Sequence, residues 1–184
     1  MRVVVTGTPG TGKTTAVEQL NTEERVVHLN DAIREHDLWT ERDTDRDTLV
    51  TDLDGVREWL GDWDGIVESH LAHHLDADRV VVLRCRPDVL EARLRERGES
   101  EAKARENAGT AERSRALARK ARENAESEAL DVILSEAVEF HGEEHVYEID
   151  TTDRTPEEVA TEIQAVLDGD REPSAGTVDY IDYL

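Results

Sequence analysis

Five short runs rich in valine, isoleucine and leucine punctuate the chain, at residues 2–6, 25–29, 65–69, 79–85 and 145–149. They are apolar almost continuously rather than at alternate positions, which predicts strands covered on both faces, as in a parallel sheet. Between them the apolar spacing lengthens to that of helices, over residues 14–20, 31–38, 53–60, 88–97, a long stretch of about 100–140, and 156–167. In the first of these, Ala16, Val17 and Leu20 share one face. Strand and helix alternate along the chain, so the expected fold is α/β, a parallel five-stranded sheet flanked by helices. Ligand then belongs beyond the carboxyl ends of the strands.

Two stretches break this pattern. Residues 41–47 alternate in charge and are read as an exposed loop. Residues 169–184 begin with Asp-, Gly-, Pro- and Ser-rich sequence and are read as an acidic, flexible C-terminal tail. Its end, from Val178 to Leu184, regains apolar character and holds two of the three tyrosines, so it is a candidate to dock on the domain or on a partner.

The candidate chemistry starts where the first strand ends. Gly7-Thr8-Pro9-Gly10-Thr11-Gly12-Lys13-Thr14 fits the phosphate-loop pattern G-x-x-x-x-G-K-[ST] at every required position, between a strand and a helix. Gly10 and Gly12 let the backbone wrap closely around phosphate oxygens, so that N–H groups and the helix N-terminus face the anion. Lys13 then reaches the β- and γ-phosphates, and the Thr14 hydroxyl sits on Mg²⁺. The expected ligand is a nucleoside triphosphate.

Charge changes the picture in two ways. The chain holds 44 Asp and Glu against 22 Lys and Arg, a net charge of −22, and only Lys13, Lys103 and Lys120 are lysines. Such a surface suits concentrated salt, where the Debye length falls to about 3 Å and self-repulsion is screened. An acid-rich, lysine-poor composition resembles that of proteins from salt-loving archaea. Against this average, residues 93–122 carry ten bases and five acids. That segment is either a solvated helix laced with i,i+4 ion pairs or a surface for phosphates, on a nucleotide or on rRNA.

The same region contains a repeat: Lys-Ala-Arg-Glu-Asn-Ala occurs at 103–108 and again at 120–125. On one continuous helix the second copy would be turned by about 260° from the first, so it is read as a local duplication. Gly109-Thr110 is a candidate break between the copies. Cys85, the one cysteine, sits on an apolar run and is expected buried; no apolar run approaches membrane-spanning length, and a cytoplasmic address is expected.

Four places resemble the adenylate kinase isoenzyme 6 family, small adenylate-kinase-like proteins that also assist maturation of the small ribosomal subunit. They are residues 7–15; Asn30-Asp31-Ala32-Ile33-Arg34-Glu35; Ile66-Val67-Glu68-Ser69-His70; and residues 80–84 with Leu90-Glu91-Ala92-Arg93-Leu94-Arg95-Glu96-Arg97-Gly98. The third discriminates, because ordinary adenylate kinases resemble Asp-Gly-(Phe/Tyr)-Pro-Arg at that place. The likeness spans nearly all of residues 1–168. It implies a nucleoside monophosphate kinase-like domain there, with a monophosphate-binding segment at about 30–53 and a lid at about 96–125 enlarged by an apparent 17-residue duplication.

The resemblance also implies roles. Thr15 joins Gly10, Gly12, Lys13 and Thr14 in holding ATP, and Asp31 and Arg34 bind the acceptor monophosphate. Glu68 shares Mg²⁺ with Thr14 or polarises a water; His70 positions water or couples nucleotide state to a partner; Arg97 closes over the triphosphate. His70, His73 and His74 would have zinc-ligand spacing if helical, without a further ligand to support it. Phosphoryl transfer needs mainly positioning and charge neutralisation, which such a set supplies. The expected activity is reversible transfer from ATP to AMP or another monophosphate, with slower ATP hydrolysis. The expected partners are a small-subunit ribosomal protein and the pre-ribosome, and a monomer is expected. Two alternatives are a ribosome-assembly ATPase with incidental kinase turnover and a kinase of a small metabolite.

Overall fold

The computed structural model describes residues 1–43, 48–104 and 111–183. Its strands are β1 (Arg2–Thr6), β2 (Val26–His28), β3 (Trp39–Asp43), β4 (Thr48–Thr51), β5 (Gly65–Glu68), β6 (Arg79–Arg84) and β7 (Val146–Asp150). The helices are α1 (Lys13–Val17), α2 (Leu29–Glu35), α3 (Leu53–Leu60), α4 (Pro87–Ala104), α5 (Ala111–Ala129), α6 (Val132–His141) and α7 (Pro156–Asp168). Five strands form one parallel sheet in the order β2-β5-β1-β6-β7.

The valine run of β1 explains why this strand is central. Val3, Val4 and Val5 are each at most 1 % exposed, so both faces of the strand must be covered. Val3 and Val5 join a core with Ala16 and Val17 of α1 and Val159, Ile163 and Val166 of α7. Val4 joins a second core with Ile33 of α2, Val56 and Leu60 of α3, and Leu134 and Ala137 of α6. Each buried valine contributes roughly 1.5–3 kcal/mol of transfer free energy, and the two cores pull on opposite faces of the same sheet. The five predicted strands are all present, with boundaries within a residue or so. No helix among the described residues is long and apolar enough to cross a membrane.

Three expectations need correction. Residues 41–43 belong to β3, which pairs antiparallel with β4 in a separate hairpin (Glu41↔Val50, Arg42↔Leu49); residues 44–47 lie outside the described residues. Alternating charges concealed this strand, because Glu41 and Arg42 are both exposed and leave no apolar face to read. The stretch of 100–140 is divided at a place the sequence did not mark. α5 and α6 are separated at Leu130 and Asp131, where Asp131 adopts a left-handed φ of 53°. Lys103 and Ala104 end α4, whereas the rest of the first repeat copy and Gly109-Thr110 lie outside the described residues.

The third concerns the segment after α7, which is laid along the exposed edge of β7. Ser174 N–H donates to the Val146 carbonyl at 2.9 Å, the Ser174 hydroxyl accepts from Glu148 N–H at 3.0 Å, and Arg171 donates to the Glu148 carbonyl at 2.8 Å. Tyr180 is buried, with its hydroxyl 3.1 Å from that of Thr152. A sheet edge is thereby covered instead of being left to pair with another chain.

Candidate nucleotide-binding site

The turn from β1 into α1 is forced through a narrow passage. A Cβ at Gly7 would lie 2.3 Å from the Leu83 carbonyl oxygen of β6, so no side chain fits there. Gly12, at φ 93°, has nothing within 4 Å of where a side chain would begin, so it faces open cleft in a conformation that favours glycine. Between them the Thr11 N–H donates to the Thr8 carbonyl at 3.2 Å, closing the loop on itself. The Thr151 hydroxyl just after β7, 3.0 Å from the Thr11 carbonyl, props the loop from below.

Over this loop lies a cavity of about 640 Å³ at the carboxyl ends of the strands. Gly10, Gly12, Lys13, Thr14 and Thr15 line its floor; Asp31 and Arg34 of α2, Glu68 of β5, His70 and Arg97 of α4 line its walls. Every residue that the sequence resemblance assigned to nucleotide, acceptor or metal is thus brought to one space. A second cavity of about 800 Å³ adjoins it, sharing Arg34, His70 and Arg97 and extending to Leu49 and Thr51 of β4 and to Lys120 and Asn124 of α5.

Lys13 is buried at 7 % exposure and donates to the carbonyls of Gly7 at 2.8 Å and Thr8 at 3.1 Å. Burial lowers its pKa to about 8, partly countered by the negative charges of Glu68 and Glu128 and reinforced by Arg97. Its ammonium group therefore remains mostly charged at neutral pH and has only backbone carbonyls to give up when an anion arrives.

Glu68 ends β5 at 2 % exposure. Its Oε1 accepts from the Thr14 hydroxyl at 3.1 Å and lies 2.9 Å from His28 Nδ1, whereas Oε2 is buried without a hydrogen-bond partner. A hydroxyl beside a carboxylate with an unsatisfied buried oxygen is a donor set that fits a hard, oxygen-loving cation such as Mg²⁺.

His70 has a pKa lowered to about 4, first by burial and then by the positive field of Lys13 and the neighbouring His73, Lys120 and His74. It is neutral at physiological pH, fit to orient a water or a substrate and not to neutralise phosphate charge. Asp31 and Arg34 pair with each other at 3.3 Å on the exposed face of α2, so a phosphate at Arg34 would have to displace that contact.

The histidine trio is divided. His70 faces the cleft, whereas His73, in the short 3-10 helix Ala72–His74, is buried between the Thr6 hydroxyl (Nδ1, 3.0 Å) and the Glu136 carboxylate (Nε2, 2.9 Å). Among the described residues only His73, His74 and Glu136 gather, and both ring nitrogens of His73 already have partners.

Sequence reasoning missed His28 and Glu128. His28 is a polar residue closing an apolar strand, the same signal that marked Glu68. Glu128 is an acid on the buried stripe of α5, in register with Ala121 and Ala125, and it accepts from the Thr8 hydroxyl of the loop at 2.5 Å. Arg93, one helical turn before Arg97, donates to the carbonyls of Thr151 and Thr152 at 3.0 Å each and fastens α4 to the loop after β7. Among the described bases of the basic segment, Arg95, Arg119 and Arg122 pair within their own helices with Glu91, Glu123 and Glu126, as in a solvated helix, whereas Lys120 lines the second cavity.

A family model described as an AAA domain matches residues 3–131. The chain belongs to that family. Among its relatives, a protein of Natronomonas pharaonis named "Putative adenylate kinase" is 57 % identical, with all of both chains covered. Proteins of the same name from Halobacterium salinarum and Methanosarcina barkeri are 56 % and 39 % identical, again over all of both chains. The first two organisms are halophilic archaea, in keeping with the acidic composition. Among solved structures, a sulfotransferase from Alicyclobacillus acidocaldarius matches with a TM-score of 0.54 at 14 % identity, over 98 % of this chain and 87 % of that one, and shares the fold alone.

Proposed function

We propose that the protein is an ATP-dependent nucleoside monophosphate kinase whose expected acceptor is AMP. The observation that carries this reading is the pair of adjoining cavities meeting at Arg34, His70 and Arg97, one over the phosphate loop and one reaching the β3–β4 hairpin. Two substrates can thus approach end to end, which is what in-line phosphoryl transfer requires. Relatives named as adenylate kinases support it.

In this reading Lys13 leaves the Gly7 and Thr8 carbonyls for the β- and γ-phosphates, and the N–H groups of Gly10, Gly12, Thr14 and Thr15 receive phosphate oxygens. Thr14 and Glu68 hold Mg²⁺, which neutralises phosphate charge when bound. Arg34 exchanges Asp31 for the acceptor phosphate as a forked donor. Arg97, between the cavities, stabilises the group in transit. Neutral His70 orients the acceptor or, without one, a water, which would give slow ATP hydrolysis. Membership of the isoenzyme 6 type, and with it a role in small-subunit maturation through a ribosomal protein, rests on the sequence resemblance of residues 66–70.

The test is ADP formation from ATP and Mg²⁺ in roughly molar KCl, with AMP, CMP, GMP, UMP or no acceptor. We expect strong dependence on AMP. Lys13→Met should reduce kcat/KM by about 10²–10³-fold or more, and Arg34→Ala should raise KM for AMP far more than for ATP. ATP loss indifferent to every monophosphate would replace the kinase with an ATPase.

A further inference from the structure

Thr8 lies inside the phosphate loop, yet its hydroxyl is bound at 2.5 Å to the Oε2 of Glu128, near the end of α5. The other oxygen of that carboxylate accepts from Arg84 Nε at 2.7 Å and from Cys85 N–H at 3.1 Å. Arg84, 1 % exposed, also donates to Asp131 and to Glu148 Oε1, the latter at 2.5 Å. Glu148 is in turn held through Oε2 by Thr177 N–H at 2.6 Å and Val178 N–H at 3.3 Å, and the Tyr180 ring lies 5.5 Å from the Arg84 guanidinium. A continuous path, buried at Glu148, Arg84, Glu128 and Thr8, therefore runs from the segment after α7, through β7 and β6, to α5 and the phosphate loop.

Three carboxylates around one buried guanidinium are a poor source of stability, since well-packed apolar residues generally do as well. What such a cage fixes is geometry. Its last link touches the residue whose carbonyl receives Lys13 Nζ.

We propose that Glu128 is a positioning residue of the phosphate loop, which by holding the Thr8 hydroxyl to the base of α5 sets the loop shape that receives a triphosphate. The inference rests on the nucleotide reading of the loop but not on the identity of an acceptor. Because α5 is one helix over Ala111–Ala129, the same contact fixes the angle at which Lys120 and Asn124 meet the second cavity.

The test is calorimetric titration of the full chain with β,γ-imido-ATP and Mg²⁺, comparing wild type with Thr8→Ser, Thr8→Val and Glu128→Gln. Thr8→Val keeps the branched shape and removes the hydroxyl; Thr8→Ser keeps the hydroxyl. We expect Thr8→Val and Glu128→Gln to weaken binding by about tenfold or more, with Thr8→Ser within about threefold of wild type, as for a hydrogen bond to a charged group.

A second readout separates positioning from mere loosening of the fold. The phosphate loop touches phosphates and not the base, so Thr8→Val and Glu128→Gln should leave adenosine binding within about threefold of wild type while the analogue is weakened about tenfold; a loosened fold would weaken both. Wild-type affinity in Thr8→Val, or a Thr8→Ser variant no better than Thr8→Val, would overturn the proposal. Should Thr8→Val fail to fold, Glu128→Gln decides: wild-type affinity for the analogue, or an equal loss for adenosine, overturns it. The measurement is of binding, so loss of acceptor-dependent ADP formation would remove the kinase reading and leave this result standing.

Discussion

Lys13 shows how a charged group can be stored in the protein interior for later use. Burial lowers its pKa to about 8, and the partners it holds meanwhile are two carbonyls of its own loop. The free protein should therefore lose affinity for ATP as pH rises through about 8, where the ammonium deprotonates. Bound phosphates favour the charged form, so kcat at saturating ATP should hold to higher pH than kcat/KM, and a pH profile of both checks this. His70 bears on stability as well. Its folded pKa of about 4 lies below the ordinary 6.5, so the unfolded chain binds more protons between those values and stability falls as pH drops through that window. Replacing it with Asn should flatten that part of a plot of thermal midpoint against pH.

At the scale of elements, α7 carries a complete start signal. Thr155 accepts from Glu158 N–H at 3.3 Å, the Glu158 carboxylate accepts from Thr155 N–H at 2.8 Å, and Pro156 opens the helix. Thr155→Ala should destabilise the protein by about 1 kcal/mol, read as a lower denaturant midpoint with an unchanged slope. Apolar spacing and the continuous valine runs, rather than such caps, made the five parallel strands and most helices legible in the sequence. The phosphate loop was legible because glycine spacing encodes backbone shape directly. The β3–β4 hairpin was not, since its charged positions face water and leave no apolar period. Glu128 escaped notice for a related reason: an acid on an alanine-rich helix reads as solvated until Arg84 and Thr8, distant in sequence, are seen to meet it.

For the whole molecule the dominant quantity is the charge of −22. Self-repulsion among exposed acids acts over about 10 Å at roughly 0.1 M salt and about 3 Å at 1 M. The thermal midpoint should thus rise steadily as KCl is increased from ~0.1 to ~2 M. The buried Arg84 cage is shielded from added ions, so Arg84→Met should lower the midpoint by a similar amount at both ends of that series.

The strand order also governs when the nucleotide site can exist during folding. β1 pairs Val3 with Ile66 of β5 on one side and with Arg79 of β6 on the other, so neither neighbour is close in sequence. Two long chain loops must close, at an entropic cost that local contacts do not offset, before the strand that launches the phosphate loop is held in place. Although its residues precede those of β6 in the chain, the loop takes its working shape only after β6 has been delivered to the sheet.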